Sequence, residues 1–467
     1  MKKRLLLFLA ICIISSVTFG TVRLPAIIAN NMVLQQQSTV NLWGWADPSE
    51  KIYITTSWNN VTDSVTGTFN ATFKIKIKTP AAGGPYTITI RGWNTIKLEN
   101  IMIGEVWVCS GQSNMEMSNT SQIREEMPNS KNDNIRLFHI PRATSQYPQE
   151  NVQAKWETCG PESLNGFSAA GYFFGKKLQQ QLNVPIGLIE TAWGGTPAEV
   201  WTPSDVIFGD PVMKGAASQL KETVWGPTVP GYIYNAMVSP ITNYGIAGTI
   251  WYQGEANTSI GSTYAWTISN MIAAWRKAFN KDFPFYYVQI APFHYDWRYE
   301  GAVVMEQQTK LLKYPNTGMV VITDLVDNIE DIHPKNKYDV GIRLANLALV
   351  DNYKQNIPGV RSPVYRSIEI NKNKVTLSFD NAPNGFMTKE RARPTEFYVA
   401  GADKVFVPAD VKLDKDKIIL SSKQVSNPVA VRFSFSNTAM SNVFSKEGLP
   451  LTPFRTDDWE LEKVKDK

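Results

Sequence analysis

A chain of 467 residues exceeds what one hydrophobic core serves, so two or three domains are expected. Hydrophobic residues at 43% and charged residues at 19% describe a globular protein and give no support for long disorder. The net charge of +5 comes without a basic run or an aromatic-interleaved basic patch, so nothing argues for nucleic acid as a partner. In chain order, Met1 to Gly20 reads as a signal peptide: Lys2, Lys3 and Arg4, the apolar Leu5 to Ile14, then small residues to Gly20. Its apolar core is too short to span a bilayer, and Ile11 before Cys12 is too large for a lipoprotein cleavage site. Export to a periplasm or beyond is expected, with no membrane anchor after cleavage. Cys109 and Cys159 then remain, and a disulfide and two free thiols are equally open.

Residues 21–100 read as an antiparallel β-sandwich. Phe73, Ile75 and Ile77 alternate with lysines, Tyr86, Ile88 and Ile90 alternate with polar residues, and Gly83-Gly84-Pro85 separates the runs as a turn. From residue 101 to 357 strands alternate with helices, the signature of a mainly parallel sheet. Ser168 caps a predicted helix over Ala169 to Leu182, and strands follow at Val184 to Ile189, Ile246 to Tyr252, Phe285 to Ile290 and Met319 to Ile322. Val340, Leu344 and Leu347 mark one face of a closing helix. Residues 358–467 return to alternation by two, as in Val375, Leu377, Phe379 and in Val429, Val431, Phe433, Phe435, giving a second β region with a charged, fraying end. The fold class is therefore α/β with flanking β regions, and the oligomeric state stays open.

The apolar run Ile101 to Val108 ends at Ser110-Gly111-Gln112-Ser113-Asn114, which leaves Ser113 at the carboxyl end of a strand, where open α/β sheets place ligands. A nucleophile and a simple helix cap are equal alternatives at this point. Activating a serine near neutral pH needs a base of similar pKa, and the chain has three histidines. His139 sits in the apolar run Leu137 to Ile140 and reads as a core residue. His294 follows a strand in an aromatic loop and could meet substrate. His333 lies between a strand and a helix among Asp324, Asp327, Glu330 and Asp331, any of which could orient it as in a Ser-His-Asp triad. Acyl transfer also needs oxyanion donors. Gly194 and Gly195 after one strand offer backbone amides, and Gln253 after another offers a side-chain amide. Glu255 and Asn257 share that last loop and are candidates for orienting the site or binding sugar hydroxyls. Beyond the single acidic loop no histidine and carboxylate cluster has ligand spacing, so no metal is expected.

Gly111-Gln112-Ser113-Asn114-Met115, Glu190-Thr191-Ala192-Trp193-Gly194-Gly195-Thr196-Pro197, Trp251 to Asn257 and Asp331-Ile332-His333-Pro334 resemble, in order, the motif blocks of the sialate O-acetylesterase family within the SGNH hydrolases. Met32 to Gln35, Trp43-Gly44-Trp45, Gly448-Leu449-Pro450 and Phe454 to Asp457 extend the similarity over nearly the full length. The resemblance implies a cofactor-free carbohydrate O-acetylesterase with a flavodoxin-like three-layer α/β/α domain, acting on acetylated carbohydrate and foremost on 9-O-acetylated sialic acid. Acetylated xylan or xyloglucan is the alternative substrate, and a non-catalytic glycan-binding protein the alternative of another class. By the same resemblance Ser113 is the nucleophile and His333 the base, with the Ser113 amide and Gly194 or Gly195 in the oxyanion hole. The superfamily's Asp three residues before the histidine is Glu330 here, which makes Asp331 the favoured orienting acid, with Glu330, Asp327 or a bare dyad as alternatives.

Overall fold

Residues 22–465 are described by the computed structural model, and the expected leader lies outside them. The N-terminal region contains β1 (Val33–Gln35), β2 (Thr39–Trp45), β3 (Lys51–Thr56), β4 (Thr62–Thr66), β5 (Thr72–Lys78) and β6 (Gly83–Arg91). β2 and β5 pair as an antiparallel ribbon, and β3 pairs antiparallel with β4 and β6. The alternation works as its period requires: Phe73 and Ile77 are buried while the lysines of β5 face water. Leu42 and Phe73 of the ribbon share one core with Ile54 and Ile88 of the sheet, each such side chain stabilising the fold by roughly 1.5–3 kcal/mol. Gly83-Gly84-Pro85, expected as a turn, lies inside β6. The bend comes just before it, at Ala81 and Ala82, and the glycines and proline instead shift the register of the ladder.

The chain continues through β7 (Thr95–Gly111), β8 (Asn132–His139), β9 (Trp156–Cys159), β10 (Ile186–Ala192), β11 (Gly248–Tyr252), β12 (Phe285–Val288) and β13 (Thr317–Val320). They lie in the order β13-β12-β11-β7-β10-β8-β9, and all neighbours are parallel except the edge strand β9. β7 begins as the antiparallel partner of β6 and ends as the middle of the parallel sheet, so unbroken backbone joins the two sheets. Its burial changes with its surroundings, from mixed over Thr95–Asn100 to continuous from Ile101 onward. Successive side chains feed opposite cores. Trp107 and Cys109 pack with helices Ala169–Leu182 and Lys337–Asp351, whereas Val106 and Val108 share a core with Tyr264–Phe279 and Glu300–Leu311. Ser168 starts the first of these helices by accepting the Gly171 amide at 3.0 Å, and Asn183 ends it in the left-handed region.

The C-terminal region holds two four-stranded antiparallel sheets, one around Lys374–Asp380 and one around Phe397–Ala400. Val375, Leu377, Val431 and Phe433 meet between them, while Val429, expected in the same run, is exposed. Arg455 docks this region on helix Glu300–Leu311 through both oxygens of Glu306, at 2.9 and 3.3 Å. The charged end is not frayed as far as Lys465, which bridges to Trp297. No helix among the described residues is long and apolar enough to cross a membrane.

Candidate active site

The chain leaves β7 for strands on one side of it and later crosses to β11 on the other, so the carboxyl end of β7 is a topological switch point. Gly111 closes this strand at φ +140, and a Cβ there would lie 2.1 Å from the Tyr252 carbonyl at the end of β11. Only glycine permits that approach. Two residues later Ser113 opens the short helix Ser113–Glu116, and it does not act as a cap. Its Oγ lies 2.9 Å from His333 Nε2, across 220 residues of sequence.

His333 sits in the loop between β13 and helix Lys337–Asp351, half-buried. Burial and the neighbouring Lys337 lower its pKa, and Asp331 opposes them. Asp331 Oδ1 accepts the His333 backbone N–H at 3.0 Å and stands 3.6 Å from Nδ1, an ion-pair contact longer than a hydrogen bond. Glu330 turns away to His294 Nδ1 at 3.1 Å, and Asp327 lies 3.9 Å from Lys335. His294 lines a separate hollow with Tyr295 and Trp297 instead of meeting Ser113. His139, expected in the core, has a side chain 47% exposed and pairs with the buried Glu190 at 3.0 Å, a bond that raises its pKa. The apolar pattern located its strand, but its ring leaves the sheet at the strand's end. Cys109 and Cys159 are both free and buried, and burial pushes the Cys159 thiol up to about 12.

The expected oxyanion donors divide. Gly194 lies against Ser113, with a Cβ there 3.1 Å from Ser113 Cβ, but its amide donates to Glu116 Oε2 at 2.9 Å. Arg142 holds that carboxylate through two contacts of 2.6 Å. Gly195 has φ +73, and a Cβ on it would meet Trp225 Cβ at 2.5 Å, so the loop carrying Trp225 closes over a position that must be glycine. Gln253 is a correction. Its amide nitrogen donates to the Thr196 carbonyl at 3.2 Å and to Asn257 Oδ1 at 2.7 Å, and it is wholly buried. It braces the glycine loop from behind and offers no donor to the cavity. Asn257, expected at the substrate, is likewise buried, bonding Ala198 N and Glu199 Oε2, both at 2.9 Å.

Glu255 does reach the cavity wall, yet its Oε1 accepts from Asn114 Nδ2 at 2.6 Å and burial raises its pKa. Asn114 Nδ2 also donates to the Ile332 carbonyl at 3.0 Å, and Asn114 Oδ1 accepts from Lys337 Nζ at 2.6 Å. The sequence alone gives Asn114 and Lys337 no role of their own. The available signal was a lysine at the first position of a helix, where the dipole disfavours a cation and solvent must normally compensate.

The cavity over Ser113 measures about 650 Å³ and is walled by Glu116, Arg142, Gly194, Gly195 and His333, with Lys221 and Trp225 on its loop side. Among the described residues no group of three or more His, Cys, Asp or Glu could hold a metal ion. A serine hydroxyl on an imidazole, at the carboxyl edge of a parallel sheet and beside paired glycine amides, belongs to an ester hydrolase. Residues 103–350 match the family model described as carbohydrate esterase, sialic acid-specific acetylesterase, and the chain belongs to that family. It is 29% identical over 398 residues to the sialate O-acetylesterase of Pongo abelii, covering 76% of each chain, and 28% identical over 419 residues to that of Rattus norvegicus, covering 74% of this chain and 77% of the relative. A crystal structure of a carbohydrate acetylesterase from Xanthomonas citri superposes with a TM-score of 0.85 at 31% identity, covering 94% of this chain and all of that one.

Proposed function

We propose that the protein is an exported serine esterase that releases acetate from O-acetylated carbohydrates, foremost 9-O-acetylated sialic acid, on an SGNH-type three-layer domain of residues 101–357 flanked by two β regions. The observation that carries this is the 2.9 Å contact between Ser113 Oγ and His333 Nε2. His333 takes the hydroxyl proton as Ser113 Oγ attacks the acetyl carbonyl. The tetrahedral oxyanion is held by the Ser113 and Gly195 amides, the Gly194 amide being taken by Glu116. The bond to the sugar oxygen breaks and His333 protonates that oxygen; water, deprotonated by the same imidazole, then attacks the acetyl carbonyl, and His333 returns the proton to Ser113 Oγ as the bond to it breaks and acetate leaves. Asp331 steadies the imidazolium by charge more than by a hydrogen bond. No step calls on a cofactor. Export rests on the Met1 to Gly20 sequence pattern.

Sialate recognition needs a cation for the sugar carboxylate. Arg142 is committed to Glu116, whereas Lys221 lies exposed at the cavity with no ion pair among the described residues and is the better counter-ion. A second substrate class, acetylated xylan or xyloglucan, is favoured by Trp225, which is 74% exposed at the rim and offers a ring for stacking a neutral sugar. Acetate release from 9-O-acetylated sialic acid, acetylated xylan and acetylated xyloglucan ranks the substrates, with sialic acid expected first. Ser113→Ala should lower every rate by ~10⁴-fold or more. Near-normal turnover by that variant removes Ser113 from the mechanism, and a parent protein that releases acetate neither from these sugars nor from p-nitrophenyl acetate favours a glycan-binding role.

A further inference from the structure

Behind the Ser113–His333 pair lies a second polar cluster, buried at Asn114 and Lys337 and reaching the cavity wall at Glu255. Lys337 is wholly buried. Its Nζ donates to Asn114 Oδ1 at 2.6 Å and stands 5.0 Å over the Tyr252 ring. Asn114, also wholly buried, passes the connection on through Nδ2 to Glu255 Oε1 at 2.6 Å and to the Ile332 carbonyl at 3.0 Å. Asn114 is the residue after the nucleophile and Ile332 the residue before the base. One amide side chain therefore ties the serine turn to the histidine loop, and its orientation is fixed by a cation on one side and a carboxylate on the other. Without Lys337 the amide oxygen is buried with no partner, and the Asn114 side chain is held from its Nδ2 side alone.

Building on Ser113 and His333 as the reacting pair, we propose that Lys337 is a positioning residue of the esterase, which through Asn114 holds the Ile332–His333 segment opposite the Ser113 hydroxyl. The charged and titratable neighbours are consistent with this assignment. His333 faces Lys337 and Asp331, and Lys337 faces Glu255 and Asp331. Glu255 faces Lys337 and the buried hydroxyls of Tyr252 and Tyr295. Burial brings the Lys337 ammonium down to about 7, with the two carboxylates opposing. Its positive charge disfavours protonation of His333. The base then stays neutral, and so competent, to lower pH than it would without the lysine.

Two variants separate the hydrogen bond from the charge. Lys337→Met removes both, whereas Lys337→Gln keeps a donor for Asn114 Oδ1 and loses the charge. With p-nitrophenyl acetate, Lys337→Met should lose roughly a hundredfold in kcat with KM within about threefold of the parent. Lys337→Gln should regain at least tenfold of that loss, and in both the acid limb of kcat/KM should move to higher pH. If Lys337→Met does not fold, as judged by its thermal transition, Lys337→Gln against the parent still reads the movement of the acid limb. Folded variants with the parent kcat and an unmoved acid limb overturn the proposal, as does a Lys337→Gln that folds without moving the limb. Those results leave Ser113 and His333 untouched, because only an active Ser113→Ala would remove the reacting pair itself.

Discussion

The proposed catalytic centre has a front and a back that are built differently. At the front His333 and Asp331 are half-exposed and 3.6 Å apart, a loose contact that becomes an ion pair only when the imidazole is protonated. At the back Asn114 and Lys337 are sealed from water and, with Glu255, joined by contacts of 2.6 Å. An ionic contact open to solvent is worth about 1 kcal/mol, whereas buried charge-assisted hydrogen bonds are short, strong and costly to leave unmade. In the proposed mechanism the base is therefore oriented mainly from behind, through the backbone of its own loop, and only trimmed from the front by its carboxylate.

Breaking the back should have the larger consequence. Asn114→Ala cuts the Ile332 tie and strands the Lys337 and Glu255 charges, and should lower kcat by roughly a hundredfold, measured on p-nitrophenyl acetate. A smaller loss than that from Asp331→Asn would reverse the ranking of front and back. Asp331→Asn should cost about tenfold, in line with about 1.4 kcal/mol. Its pH profile carries the sharper information. Asp331 raises the His333 pKa, so its removal lowers that pKa, and the acid limb of kcat/KM should move to lower pH, opposite to the Lys337 variants. The smallest effect is expected farthest forward, at the rim. Lys221→Ala should raise KM for 9-O-acetylated sialic acid by about fivefold, on the scale of one exposed ion pair, and leave p-nitrophenyl acetate unchanged. An equal change for both substrates would argue against a carboxylate contact at Lys221.

Much of the architecture was legible because it rests on periodicity. The switch from alternating to continuous apolar residues near Ile101 marks where β7 passes from a sheet with one wet face into one covered on both sides. Ser168 as a cap and Ser113 at a strand end follow from local chemistry of the same kind. Direction was the missing quantity. Gln253 and Asn257 stand in the loop that supplies Glu255, yet both amides point inward to Thr196, Ala198 and Glu199, and polarity at a strand end does not say which way a side chain turns. His139 failed in the opposite sense, its ring leaving an apolar strand for solvent. Lys337 reads as a solvated helix-terminal lysine until the fold supplies Asn114 and Glu255 from residues more than eighty positions away. The Glu116 plug on the Gly194 amide was equally invisible, because it needs Arg142 on a different loop to hold it.

The hydroxyl of Ser113 as the acyl acceptor is tested most directly by covalent capture. After treatment with a fluorophosphonate, peptide mass mapping should find a single adduct on the peptide bearing Ser113, lost in His333→Ala and accompanied by loss of acetate release. An adduct on another serine, or full acetate release from protein labelled at Ser113, would contradict the account.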